Sequence, residues 1–348
     1  MRSESKRLYV GEVAIGDGAP ISIQTMTNTD SKDYESTLKQ ISELESVGAE
    51  LIRISLPDEE SVKVFKKLKT KTSTPLIADI HFRAEIAVLA IEAGADKIRI
   101  NPGNIGGKDQ VSKVAAAAAK RNIPIRIGVN AGSISDDLRD QDIPLSKQLT
   151  LSALECIDVM EKVGFNNIIV SAKAFGVQDT IETYRALSKS IDYPLHIGIT
   201  ESGTLESGSV RSSVGLGILL SEGIGDTLRV SLSADPVHEV HVAKQILQSL
   251  EIRKFHPELI ACPTCSRCEV DLIPIARQVE KELKNISDPL KVAVMGCSVN
   301  GPGEARLADI GIAAGRGKGV LFKKGKPVKT VDEADFVDEL FKLIERDE

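Results

Sequence analysis

Eight β-branched apolar runs recur between residues 21 and 234, and most are separated by stretches whose apolar positions return every third or fourth residue. The runs are 21–27, 51–56, 75–81, 97–101, 124–130, 167–173, 194–200 and 227–233. The intervening periodicity predicts helices over 34–47, 58–71, 84–93 and 110–121, among others. Apolar strands alternating with amphipathic helices imply parallel pairing through right-handed crossovers. Eight such units predict a TIM (β/α)8 barrel. A doubly wound open sheet shares the local pattern, and the count of eight favours the barrel. Residues 7–20 predict a hairpin ahead of the first barrel strand.

The pattern changes near residue 250, which divides the chain into an expected barrel domain, 1–250, and a smaller α+β domain, 251–348. In the second, helical periodicity covers 271–285. Short strands are expected at 291–295, 309–313, 319–322 and 327–330, and Asp332 is expected to cap a final helix over 333–345.

Composition narrows the function classes. With 42% apolar residues, 348 residues can build a large core. A net charge of −6 gives no electrostatic case for nucleic acid or an anionic membrane. Aromatic content of 3%, with no Trp, leaves little for stacking bases. No apolar run approaches the roughly 20 residues of a spanning helix, and the first residues lack the apolar stretch of a secretory signal. A cytoplasmic protein with reduced thiols is expected, which favours metal over disulfides for clustered cysteines.

The barrel runs carry polar residues toward their C-terminal sides, where a TIM barrel builds its mouth. They include Gln24, Asn28, Asn101, Asn130 and Ser231, with the cations Arg53, Arg99, Arg126, Lys173 and Arg229 on five different strands. So many cations at one rim, with few carboxylates, call for a phosphate or diphosphate ligand that guanidinium groups can grip bidentately. Asp79, His81 and Glu201 are the acid–base candidates, with ion pairing to the arginines as the competing role for the carboxylates. His196, inside strand seven, is expected to pack or to donate to backbone. The glycine-rich stretches 101–107 and 215–217 fit no Walker or dinucleotide fingerprint and are expected as βα loops.

Four of the five cysteines lie in the last quarter of the chain: Cys262, Cys265 and Cys268 within seven residues, then Cys297 in a glycine-rich loop over 296–303. This is spacing for an iron–sulfur cluster or a structural zinc. The glycines let backbone amides approach sulfur, which supports the cluster. Cys156, in a barrel helix, is expected as a core thiol. A non-redox alternative remains open on the residues alone: a TIM-barrel lyase or synthase acting on a phosphorylated substrate, with a zinc-stapled tail and Lys173 as Schiff-base candidate.

The motifs CPTC (262–265) and MGCSVNGPGEA (295–305) stand behind SIQTMTNTD (22–30), ADIHF (78–82), KIRINPGN (97–104), IPIRIGVNAGS (123–133) and HIGITESG (196–203). Together they resemble the 4-hydroxy-3-methylbut-2-enyl diphosphate synthases, the GcpE-type enzymes of the non-mevalonate isoprenoid pathway. The resemblance covers nearly the whole chain in its compact two-domain bacterial form. It implies a C-terminal module like that of sulfite and nitrite reductases. There a [4Fe–4S] cluster would be held by Cys262, Cys265, Cys297 and Glu304, and Cys268 departs from the family pattern as a non-ligand thiol. It further implies reductive opening of a cyclic diphosphate, flavodoxin or ferredoxin as electron donor, and a head-to-tail homodimer in which one chain's cluster domain caps the other's barrel.

Overall fold

The computed structural model describes residues 4–286 and 288–345. They form two compact units that divide at Arg253/Lys254, each with its own sheet.

In the first unit, β1 (Leu8–Val10) and β2 (Val13–Ile15) form the expected antiparallel hairpin. Its Val10 and Ile15 pack on Leu51, Ile77 and Ile169, near the starts of barrel strands, so the hairpin plugs the N-terminal end of the barrel. The barrel strands are β3 (Ser22–Met26), β4 (Leu51–Ser55), β5 (Leu76–Asp79), β6 (Lys97–Ile100), β7 (Ile125–Asn130), β8 (Ile168–Lys173), β9 (His196–Ile197) and β10 (Thr227–Leu228). All pair in parallel in the order β8-β7-β6-β5-β4-β3-β10-β9. A bridge from Val170 to Leu195 joins β8 to the segment leading into β9, closing the ring. The open sheet is thereby set aside. The last two strands are much shorter than the seven-residue runs expected of them.

Helices α1 (Tyr34–Ser46), α2 (Glu59–Lys69), α3 (Ala84–Glu92), α4 (Gly107–Arg121), α5 (Asp136–Arg139), α6 (Leu145–Lys162), α7 (Val177–Ser190), α8 (Leu205–Ser221) and α9 (Pro236–Ser249) follow in chain order. Local chemistry sets several starts. Asp33 accepts the Ser36 amide at 3.1 Å. Asp58 and Ser61 form a reciprocal capping box. Asp235 caps α9 with Pro236 in its first turn. Helix α4 starts three residues earlier than its periodicity suggests, because Gly106 in the left-handed region lets the glycine-rich loop turn directly into it.

The apolar strand residues face the helices: Ile52, Ile54, Ile98, Ile100, Ile125, Ile127 and Val129 are fully buried. Their alternate neighbours point into the ring. Lys97 on β6 reaches Gln24 on the non-adjacent β3 at 3.2 Å, a contact made across the barrel. TIM-barrel interiors are ordinarily layered with branched apolar side chains; this one is layered with cations and amides.

The second unit contains a five-stranded sheet, β11 (Glu258–Ala261), β12 (Lys291–Met295), β13 (Ile310–Gly315), β14 (Lys318–Lys323) and β15 (Lys326–Asp332), parallel through β13 and antiparallel beyond. Helices α10 (Leu272–Leu283) and α12 (Phe336–Glu345) cover one face through Leu272, Val279, Phe336 and Leu340 on Val292, Val294, Ile310 and Ile312. Helix α11 (Gly301–Ala305) contributes Ala305 to the other face, with Ala293, Met295 and Phe322. Strand β11 was not signalled, since Leu259 and Ile260 are only half-buried and form too short an apolar run. Asp332 is not the cap of the last helix. It ends β15, makes no capping hydrogen bond and lies 3.9 Å from Lys318, and a 3₁₀ turn over Glu333–Asp335 intervenes.

Candidate active site and cysteine loops

The barrel interior gathers six cations around two buried carboxylates. Asp79, ending β5, takes Arg99 Nη1 at 3.2 Å and Arg53 Nε at 3.5 Å. Burial pushes its carboxyl up, but the two arginines outweigh that and hold it below the usual range. The second carboxylate, Glu239, belongs to α9 and carries no signal in its local sequence. It accepts Arg229 at 3.0 and 3.2 Å, the Thr25 hydroxyl at 2.9 Å and the Leu232 amide at 3.1 Å. Arg229 is therefore oriented by a bidentate clamp.

The remaining cations have less compensation. Arg126 is fully buried inside the barrel, not exposed at the rim as its strand position suggested, and its Nε and Nη1 lack partners. Burial, with Arg53 and Arg99 nearby, drives its pKa well down. Arg53 falls to about 10 through burial, with Asp79 opposing. Burial likewise lowers Lys97 and Lys173, reinforced by neighbouring arginines. Lys97, like Glu239, was missed; its place in the alternating Lys-Ile-Arg-Ile run of β6 was the available signal. His196 packs inside the barrel, the first of its two expected roles; both ring nitrogens are unpartnered, so it does not donate to backbone. Burial and then Lys173, Arg126 and Lys97 hold it uncharged. Such a set, buried within the barrel, suits a multiply charged anion.

Two glycines make the crowding possible. A Cβ on Gly128 would stand 2.4 Å from Arg99 Nε, and one on Gly198 would stand 2.5 Å from Lys173 Nζ. Arg99 also donates to the Gly128 carbonyl at 3.3 Å.

The acid–base candidates separate. His81 is half-exposed in the loop after β5, its Nε2 3.8 Å from Asp79. Glu201 is exposed after β9 and adopts φ 52°, in the left-handed region. Its loop is pinned on both sides: Ser202 Oγ donates to the Ser231 carbonyl, Arg211 donates to the Ser202 carbonyl at 2.7 Å, and the Ser233 amide donates to Gly203. Ser231 thus contributes through its backbone. Asn130, at the end of β7, is half-buried beside Lys173 in register and forms a reciprocal turn with Ser133.

In the second unit, Cys262 follows β11 and Cys297 follows β12. The Gly296 amide donates to Cys262 Sγ at 3.3 Å. Amides of Asn300, Val299 and Gly301 hold the Cys297 thiol below its ordinary range, and Arg267 does the same for the exposed Cys265. Among the described residues, no three His, Cys, Asp or Glu side chains already converge as a metal site. The donor chemistry nevertheless fits a cluster: thiols biased toward thiolate, ringed by amides able to donate to sulfur. Glu304 is exposed in the first turn of α11, where a plain loop had been expected. Cys268 is half-buried against Leu272 and Gly296, with its Sγ donating to the Val270 carbonyl at 3.2 Å. Cys156 is a buried core thiol, raised to about 11 by burial.

Two family models match this chain: the GcpE TIM-barrel domain over residues 5–244 and the GcpE protein C-terminal domain over 258–346. The chain belongs to the GcpE family. Curated relatives of it include the 4-hydroxy-3-methylbut-2-en-1-yl diphosphate synthase (flavodoxin) of Caldanaerobacter subterraneus subsp. tengcongensis, 50% identical over 347 residues, covering 99% of this chain and 98% of that one. The enzyme of the same name from Lawsonia intracellularis is 51% identical over 350 residues, with the same coverage. The GcpE chain is thus an oxidoreductase of isoprenoid biosynthesis. Among solved structures, dihydropteroate synthases share the barrel fold. That of Yersinia pestis gives a TM-score of 0.53 at 16% identity over 70% of this chain and 97% of its own, and that of Coxiella burnetii 0.52 at 14% over 72% and 100%. No helix of the described residues is long and apolar enough to cross a membrane.

Proposed function

We propose that the chain reductively opens 2-C-methyl-D-erythritol 2,4-cyclodiphosphate to (E)-4-hydroxy-3-methylbut-2-enyl diphosphate, with water leaving and two electrons delivered by flavodoxin or ferredoxin. The observation that carries this is the cationic barrel interior: six cations against two buried carboxylates, in a chain half identical to synthases of that product.

Arg53, Arg99, Arg126, Lys173 and Arg229 bind the diphosphate and stabilise the charge released as the ring C–O bond opens. Asp79 and Glu239 do not act on substrate; they aim the guanidinium groups. Asn130 and Ser231 line the mouth and orient the carbon skeleton. Glu201 protonates the departing hydroxyl, supported by His81 and by Asp79 through the arginines it aims. A [4Fe–4S] cluster, held by Cys262, Cys265, Cys297 and Glu304, supplies single electrons when bound. A carboxylate is a weaker iron ligand than thiolate, so Glu304 would be the most weakly bound of the four residues holding the cluster. The binding residues and the cysteines belong to different compact units, which agrees with a homodimer pairing one chain's barrel with the other's cysteine unit. An active monomer in sedimentation would remove that part of the proposal.

Anaerobically purified protein is expected to be brown, with broad absorbance near 400 nm, roughly where thiolate-to-iron charge transfer falls in such clusters. Glu304→Ala should alter that spectrum and abolish turnover. A colourless, zinc-loaded protein would replace this proposal with the non-redox lyase, and an unchanged spectrum in Glu304→Ala would withdraw the ligand assignment.

A further inference from the structure

The turn that follows the CPTC motif places two thiols at a spacing neither the barrel nor the proposed ligand set uses. The Cys268 amide donates to the Cys265 carbonyl at 2.9 Å, closing a four-residue turn with Ser266 and Arg267 at its corner. A turn of this kind holds its end Cα atoms within about 7 Å, and disulfides span about 4.4–6.8 Å between Cα atoms. A second pair close in sequence, Cys262 and Cys265, has no such closure. Cys262 precedes Pro263, which biases it toward extended backbone, and three extended residues span roughly 10 Å. Cys297 lies on a separate loop and Cys156 is buried in the first unit.

We propose that Cys265 and Cys268 form a reversible disulfide when the chain carries no cluster, making this turn a thiol-modification site. The bond itself depends only on the turn; its consequence for cofactor loading rests on Cys265 being a cluster ligand. Exposure divides the roles. Cys265 is exposed and meets the oxidant, a low-molecular-weight disulfide such as oxidised glutathione. Its thiolate attacks one sulfur, forming a mixed disulfide and releasing one small thiol. Cys268, half-buried and held by Val270 and Gly296, cannot meet a bulky oxidant but can attack the adjacent mixed disulfide. The second small thiol leaves, so the two electrons and two protons lost by the cysteines are gained by the oxidant. Because the turn already holds the Cα atoms within disulfide range, the closing step requires the Cys268 side chain to leave the Val270 carbonyl and rotate toward Cys265. Bond and cluster then compete for Cys265: the disulfide shields that sulfur from irreversible oxidation, and reduction returns it as a ligand.

The test uses the full-length chain, stripped of iron by chelation under reductant and equilibrated anaerobically in glutathione buffers. Free thiols are then alkylated and the protein is weighed and digested with trypsin. Cleavage after Arg267 separates the two cysteines, so the bond appears as a linked pair of peptides, 255–267 with 268–277. The expected count falls from five alkylated cysteines at the reducing end to three at the oxidising end, with Cys262 alkylated in the linked pair. Cys268→Ser, which lacks the resolving thiol, should give no linked peptides and stop at a glutathione adduct on Cys265. Five alkylated wild-type cysteines throughout, an unresolved glutathione adduct on Cys265 of the wild-type chain, or a bond joining any other pair would overturn the proposal. Failure of the wild-type chain to acquire visible absorbance on iron and sulfide reconstitution would instead count against the cluster, and leaves the thiol count to decide the bond.

Discussion

Glu201 combines an exposed carboxyl with a backbone angle that L residues seldom adopt, and the structure ties down both flanks of its loop. Strain of this kind is retained where a side chain must be aimed. Glu201→Gln should leave stability unchanged and cut turnover with a chemical reductant by at least about a hundredfold, the usual scale for a proton donor. Glu201→Gly should lose turnover equally while unfolding no more easily, and up to about 1 kcal/mol less easily, because glycine relieves the left-handed conformation. Full turnover in Glu201→Gln would remove the donor role. His196 offers an independent reading of the barrel's charge. Its folded pKa is depressed, so as pH falls below about 6.5 the unfolded chain takes a proton that the folded chain refuses, and stability declines. Between pH 7 and 5, His196→Gln should flatten the wild-type stability slope by up to one proton, about 1.4 kcal/mol per pH unit. An identical slope in the two proteins would mean that His196 titrates normally.

At the scale of elements, the barrel strands keep an apolar outer face and replace much of the usual apolar inner face with charge. The Lys-Ile-Arg-Ile of β6 and the Leu-Ile-Arg-Ile of β4 put isoleucine outward against helices and charge inward. That alternation was visible in the sequence, and the eight units it marks are the eight strands observed. What it could not supply was depth. A cation in a strand reads as a rim residue because a buried unpaired charge is costly, so Arg126 was expected at the mouth and Lys97 went unnoticed. Glu239 was invisible for another reason: nothing in a helix sequence says which strand-borne arginine it will meet. In the second unit, the cysteine spacing was legible, but the turn that brings Cys268 back beside Cys265 became apparent only from its hydrogen bonds. The strands also depend on small residues for their inward freight. Gly128→Ala should push Arg99 from Asp79 and lower kcat/KM by about ten- to a hundredfold, since a hydrogen bond to a charged group is worth about 1.5–3 kcal/mol. Unaltered kinetics would show that Arg99 can shift without loss.

Across the whole molecule, the ligand-free first unit carries an uncompensated charge in the one place where a barrel normally gains its packing. A small diphosphate should therefore stabilise it. Inorganic pyrophosphate at about a hundred times its Kd is expected to add about 2.7 kcal/mol, raising Tm by several degrees. Arg126→Met should melt higher than wild type without ligand and gain little from pyrophosphate, because removing an unpaired buried charge is itself stabilising. A Tm that ignores pyrophosphate in the wild type would mean that the interior cations are satisfied by other means. The charged interior has a consequence for the life of the protein beyond its chemistry. With the substrate bound as proposed, the molecule that is consumed is also the last piece of the interior and completes the fold. Abundance of the enzyme should then follow supply of its precursor: chains made while the precursor is scarce would open more often and be degraded sooner, and a rising supply would spare them without any change in synthesis.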